Sequence, residues 1–72
     1  MKDKLIKIAR LGRKTEEFYV DNGTTVSDLI SMSSFSSRGC QIRVNGVPAN
    51  SDQVLEDGDI VTLIPMIRGG FS

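Results

Sequence analysis

The chain has 72 residues, 39% of them hydrophobic and 25% charged, with nine basic side chains against nine acidic ones. That length supports one domain with a modest core, and the even charge argues against a general nucleic-acid binder, which carries a basic excess. Histidine is absent and Cys40 is the lone cysteine, which excludes Ser-His and Cys-His catalytic pairs, an internal disulfide and a cysteine zinc cluster. A non-enzyme with no metal and no cofactor is therefore expected.

The basic residues Lys2, Lys4, Lys7, Arg10, Arg13 and Lys14 crowd the start of the chain, and Asp52, Glu56, Asp57 and Asp59 crowd its last third. A solvated, dipolar surface accounts for both groups. No apolar run approaches the ~20 residues of a membrane helix. The N-terminal "MKDKLIKIAR" has no apolar stretch of signal-peptide length. A cytoplasmic protein without a membrane partner is expected.

In chain order, residues 5–11 ("LIKIARL") predict a strand, with Ile6 and Ile8 on one face and Lys7 between them. Gly12 ends it, and "EEFYV" at residues 16–20 predicts a second strand, antiparallel to the first across a short polar turn. Thr25 is an N-cap residue with Asp28 three positions on, a capping box with Asp in place of Glu. Val26, Leu29 and Ile30 follow as one apolar stripe, which predicts a helix over about residues 26–32. The serine-rich "SSFSSRG" ends it, with Phe35 folding back as a core plug.

A third strand begins at Cys40, where Cys40, Ile42 and Val44 alternate with Gln41 and Arg43. Asn45-Gly46 is the strongest short hairpin signal, since both residues tolerate positive φ. "VPA" is a short return strand at a sheet edge, limited by Pro48. An irregular stretch with Leu55 as core anchor and a turn at Asp57-Gly58 leads into "DIVTLIPM". Val61 and Leu63 lie on one face of that segment and Ile60 and Ile64 on the other, the pattern of a central strand. The order predicts an α+β domain with one helix packed across a mixed four- to five-stranded sheet.

The last third, "VNGVPANSDQVLEDGDIVTLIPMIRGG", resembles the ubiquitin-like β-grasp sulfur carriers of the MoaD and ThiS type. The resemblance rests on Val44-Asn45-Gly46, Leu55, Asp57-Gly58-Asp59, Val61, Pro65 and Gly69-Gly70, in register and closing on Gly-Gly. Arg68 before the glycines is similar to the corresponding residue of ubiquitin. The first half of the chain matches by element pattern alone. The resemblance implies a β-grasp domain over residues 1–66 and a flexible tail over residues 67–72. It also implies a carrier role for Arg68, Gly69 and Gly70. In such a family an ATP-dependent activating enzyme adenylates the last glycine's carboxylate. A thiocarboxylate for a sulfur-acceptor enzyme then follows, or a thioester and an isopeptide bond to a protein target. Glycine suits this chemistry because a tail without Cβ threads a narrow channel.

Here Phe71 and Ser72 follow Gly70, so Gly70 has no free carboxylate in this chain. Either a processing protease removes the two residues, or the domain is a non-catalytic β-grasp interaction module with its tail intact. Ile60, Ile64 and Leu5 are expected on the outer sheet face as a docking patch, with Arg43 at its rim. Cys40 reads as a structural thiol rather than a redox or thioester group. A single "RGG" in a neutral chain does not indicate RNA binding. The acidic residues of the Asp57-Gly58-Asp59 turn are explained by the turn itself.

Overall fold

The computed structural model describes residues 2–66. Its elements are β1 (Lys4–Arg10), β2 (Glu16–Val20), α1 (Val26–Met32), β3 (Cys40–Val44), β4 (Val47–Pro48) and β5 (Ile60–Pro65). The five strands form one mixed sheet in the order β2-β1-β5-β3-β4. β1 and β5 run parallel at its centre, and every other pairing is antiparallel. The expected α+β grasp of one helix by a mixed sheet is the fold observed.

Side-chain alternation decides which face each strand buries. Ile6 and Ile8 of β1, Val20 of β2, Val44 of β3 and Val61 and Leu63 of β5 are all buried. They meet Val26 and Leu29 of α1, with Phe35 and Leu55 closing the two sides of the core. Val61 and Leu63 have no exposed surface, as the apolar alternation of β5 predicts.

The helix is only seven residues long, too short to stand alone in water, so its ends are tied. Thr25 Oγ1 accepts from the Asp28 backbone N–H at 3.2 Å and Asp28 Oδ2 accepts from the Thr25 N–H at 3.1 Å. These are the two bonds of a capping box. The Val26 and Ser27 N–H groups donate to the Gln53 and Ser51 carbonyls. The irregular stretch before β5 thereby becomes a brace for the helix start. At the other end Ser33 Oγ donates to the Ile30 carbonyl and accepts from the Phe35 N–H, a turn that sends the Phe35 ring into the core.

Two turns use residues suited to positive φ. Asn45 (φ 54°) and Gly46 (φ 83°) join β3 to β4, the pair of left-handed residues that a type I′ hairpin needs. Gly58 (φ 88°) lets the chain reverse before β5 while its N–H donates to the Leu5 carbonyl at 2.9 Å. The return strand and the last strand are each trimmed at their ends, to Val47–Pro48 and Ile60–Pro65, and the first strand is shifted. β1 begins at Lys4 and ends at Arg10, so Leu11 belongs to the turn and is 79% exposed. The Arg13 N–H donates to the Arg10 carbonyl at 2.9 Å, which closes the turn one residue earlier than the apolar run suggests.

Candidate functional site

Because β5 is the central strand, its outer face defines the middle of the exposed side of the sheet. Ile60, Thr62 and Ile64 alternate with the buried Val61 and Leu63 along it. Lys7 lies opposite Ile60, Ala9 and Arg43 flank Thr62, and Gln41 lies opposite Ile64. Leu5 sits opposite Tyr19 on the same face. The four expected patch residues, Leu5, Arg43, Ile60 and Ile64, thus share one side of the sheet but not one spot. Ile60 and Ile64 are roughly 13 Å apart at 3.3 Å of rise per residue. Leu5 lies toward Ile60, and Arg43 faces the midpoint. Ile60 is 44% exposed, while Leu5, Arg43 and Ile64 are half-buried. Tyr19 (61% exposed) extends the apolar surface beyond Leu5. Arg43 Nε donates to Gln41 Oε1 at 3.3 Å, which holds the guanidinium along β3.

The start of β5 is fastened by side chains. Asp57 Oδ1 accepts from the Leu5 N–H at 2.7 Å, and Asp59 Oδ2 accepts from the Glu56 N–H at 2.8 Å. Asn45 Nδ2 donates to Asp59 Oδ1, and Asn45 Oδ1 accepts from the Ile60 N–H. Every carboxylate of the Asp57-Gly58-Asp59 turn is thereby occupied in holding backbone, as the turn reading expects.

The other end of β5 is where the chain leaves the sheet. Pro65 lies opposite Cys40, and the Met66 N–H donates to the Gly39 carbonyl at 2.9 Å. Beside this exit, on the outer face, Ala9, Leu11, Gly12, Thr62 and Ile64 line an open groove of about 520 Å³ with the Arg10 stem at its edge. Sequence reasoning placed Ile64 here and missed its neighbours. The alternation of Leu5, Lys7 and Ala9 on the outer side of β1, continued by Leu11 in the turn, was the available signal. Arg68, Gly69 and Gly70 lie outside the described residues.

Away from this face, Glu16 accepts from the Ser34 hydroxyl and, at 3.0 Å, from the Ser34 N–H. These bonds, the hydroxyl first, with Arg13 adding a smaller attraction, hold its carboxyl below the ordinary value of 4.5. Arg13 also lies 6.0 Å from the centroid of the Phe35 ring. Cys40 packs partly buried against the core with Ser36 O its nearest acceptor, at 4.0 Å, in keeping with a structural thiol. Among the described residues no group of acidic or thiol side chains is placed to hold a metal ion. None of their helices is long and apolar enough to cross a membrane.

A model of the ThiS family matches residues 4–70. The chain belongs to the ThiS family. ThiS-family proteins are small ubiquitin-like β-grasp sulfur carriers, which agrees with the resemblance carried by the last third of the sequence. The fold has solved counterparts at low sequence identity. A Pyrococcus furiosus protein assigned as molybdopterin converting factor subunit 1 superposes with a TM-score of 0.71 at 23% identity, over 89% of this chain and 99% of that one. Small archaeal modifier protein 1 of H. volcanii gives 0.70 at 17% identity, over 89% and 99%. A chain of the complex of subunits 1 and 2 of molybdopterin-converting factor from Helicobacter pylori gives 0.62 at 23% identity, over 92% and 99%. This ThiS-family chain therefore shares its architecture with proteins described as molybdopterin-converting-factor subunits and with a small archaeal modifier protein.

Proposed function

We propose that this ThiS-family protein is a carrier or modifier whose working atom is the C1 carboxyl carbon of Gly70. The observation that carries the reading is the extent of the family match, which runs through Gly69 and stops at Gly70, leaving Phe71 and Ser72 outside it. Hydrolysis of the Gly70–Phe71 peptide bond by a protease frees a glycine carboxylate. A partner adenylating enzyme then joins that carboxylate to the α-phosphate of ATP, releasing pyrophosphate. Sulfide attacks the acyl carbon and displaces AMP, leaving a thiocarboxylate, or a partner's cysteine thiolate does so, leaving a thioester. The chain itself is substrate throughout, and it contributes shape rather than acid-base groups.

The fold supports that role in two ways. The central strand ends beside Gly39, where the Met66 N–H is bonded. The outer face, with Ile60 and Ile64 flanked by Leu5 and Arg43, offers a partner enzyme a surface beside that exit. Apolar side chains left on one exposed sheet face are characteristic of such contacts.

The test is the intact mass of the protein isolated from its native host. Loss of the Phe71-Ser72 mass places the chemistry on Gly70. A further shift from oxygen to sulfur identifies a sulfur carrier, and its absence together with higher-mass adducts identifies a conjugating modifier. A single full-length mass under all growth conditions overturns the proposal in favour of an interaction module with an unprocessed tail.

A further inference from the structure

The end of the domain where β5 finishes gathers positive charge that its own carboxylates do not neutralise. β1 and β5 run parallel, so Arg10, the last residue of β1, lies opposite Leu63 near the end of β5. Arg13 and Lys14 follow in the turn, and the Arg13 N–H donates to the Arg10 carbonyl. The loop after α1 reaches the same end, since the Gly39 carbonyl accepts from the Met66 N–H. That loop carries Arg38, and it sets the centroid of the buried Phe35 ring 6.0 Å from the Arg13 guanidinium. Four cations thus share this end with one carboxylate, Glu16, which is already held by Ser34. Among the described residues, ion pairs engage Lys4 and Lys7 and none of these four. The acidic counterparts sit at the far end, where Asp57 and Asp59 fasten the start of β5 and Glu56 pairs with Lys4.

Arg10 is the sharpest sign of a missing anion. Its Nε is buried and has no hydrogen-bond acceptor among the described residues. A guanidinium keeps its charge when buried, and a buried donor left unbonded costs free energy that an acceptor recovers. Arg13 and Arg38, at the same end, are exposed. Arginine favours a ligand with paired oxygens, because its planar fork bonds a carboxylate at two points. A nucleic acid also presents paired oxygens, but its binders add exposed aromatic rings or a basic excess over the whole domain. Here the Phe35 ring is buried, the chain has no net charge, and the far end is acidic.

We propose that Arg10, Arg13 and Arg38 form a carboxylate-binding surface that receives an acidic segment of a protein partner. The surface stands on the charge placement and the unbonded Arg10 Nε. Its functional meaning rests on the carrier reading above: the acidic segment belongs to the adenylating enzyme, and the domain's charge asymmetry turns its exit end toward that enzyme during approach.

Titration of the full chain with hexaglutamate, followed by NMR at the arginine Nε–H groups, tests the proposal. The Arg10 Nε–H resonance should move saturably, and affinity should fall about fivefold or more between about 20 and 200 mM salt. The Arg13→Gln/Arg38→Gln chain, altered only at exposed positions, should bind hexaglutamate about fivefold or more weakly than the parent. Lys7→Gln, on the outer sheet face, should bind it as the parent does. An Arg10 resonance that stays in place, or equal losses in both variants, overturns the proposal as unspecific attraction. Tighter binding of single-stranded hexathymidylate overturns it in favour of a nucleic acid. The Gly70-ended Arg13→Gln/Arg38→Gln chain should also lose affinity for the adenylating enzyme. Unchanged affinity there, where the parent binds hexaglutamate, overturns the assignment of the acidic segment to that enzyme. Failure of the carrier reading would instead appear as a Gly70-ended parent chain that no adenylating enzyme activates, and the hexaglutamate result would stand without it.

Discussion

The two faces of β5 contain similar side chains put to opposite use. Val61 and Leu63 face α1 and have no exposed surface, whereas Ile60 on the reverse face is 44% exposed. Ile64 is half-buried, and no helix lies over it. Hydrophobicity alone does not distinguish the faces. The helix crosses only one of them, and the other keeps its apolar residues without a core to build. Stability and the proposed recognition therefore reside on opposite sides of one strand, and substitutions can separate them.

The strongest break is on the buried face. Leu63→Ala removes a fully enclosed side chain and should destabilise the domain by about 2–5 kcal/mol. In a domain this size that is a large part of the total, read as a fall in thermal midpoint or outright loss of the fold. Asn45→Ala comes next. It forfeits the amide that spans Asp59 and the Ile60 N–H, and it puts a less tolerant residue at φ 54°. A loss of about 1–2 kcal/mol is expected in denaturant unfolding, with no change in partner binding.

Ile64→Lys sharpens the comparison from the other side. The fold should lose no more than about 1 kcal/mol, while affinity of the Gly70-ended chain for its adenylating enzyme should fall by at least tenfold, about 1.4 kcal/mol. Unchanged affinity in a titration would remove the outer face from the proposed recognition surface. The smallest effect concerns pH. The folded state holds the Glu16 carboxyl below its ordinary 4.5. Its contribution is complete above that value and is lost as pH falls through the lower folded-state value. Glu16→Gln should therefore lower the thermal midpoint at neutral pH, where the contribution is complete, and the difference from the parent chain should shrink as pH falls from about 6 to about 3.

Much of this architecture was legible because local chemistry and global pattern agree. The apolar alternation of residues 60–64, the Thr25/Asp28 pair and Asn45-Gly46 each name their element and its boundary. The outer face that carries the proposed docking patch was legible, since strict alternation fixes which residues oppose the core. Its extent was not. Ala9 and Thr62 are unremarkable in sequence, and they become a groove floor only when β1 and β5 pair in parallel with Ala9 beside Thr62. Nor does sequence distance suggest that Glu16 ties down Ser34, or that Lys4 Nζ donates to the Leu55 carbonyl at 2.9 Å. Such contacts follow from tertiary placement and have no local signature. The early end of β1 has the same origin, since a backbone bond from Arg13 outweighs the apolar character of Leu11.

The parallel pairing of β1 with β5 has a consequence for when the molecule becomes usable. Lys7 lies opposite Ile60, so the middle of the sheet joins segments from the two ends of the chain. Pairings of such long sequence separation form late, because the intervening loop must close first. A nascent or truncated chain without β5 has no sheet centre and no surface under which to bury Leu29. Gly69 and Gly70 follow that last strand closely in the sequence. If the proposed trimming and activation take place, they meet a folded domain only once the final strand is made and inserted. On the proposed carrier reading, the topology works as a completeness check that keeps chains without β5 from the proposed activating partner.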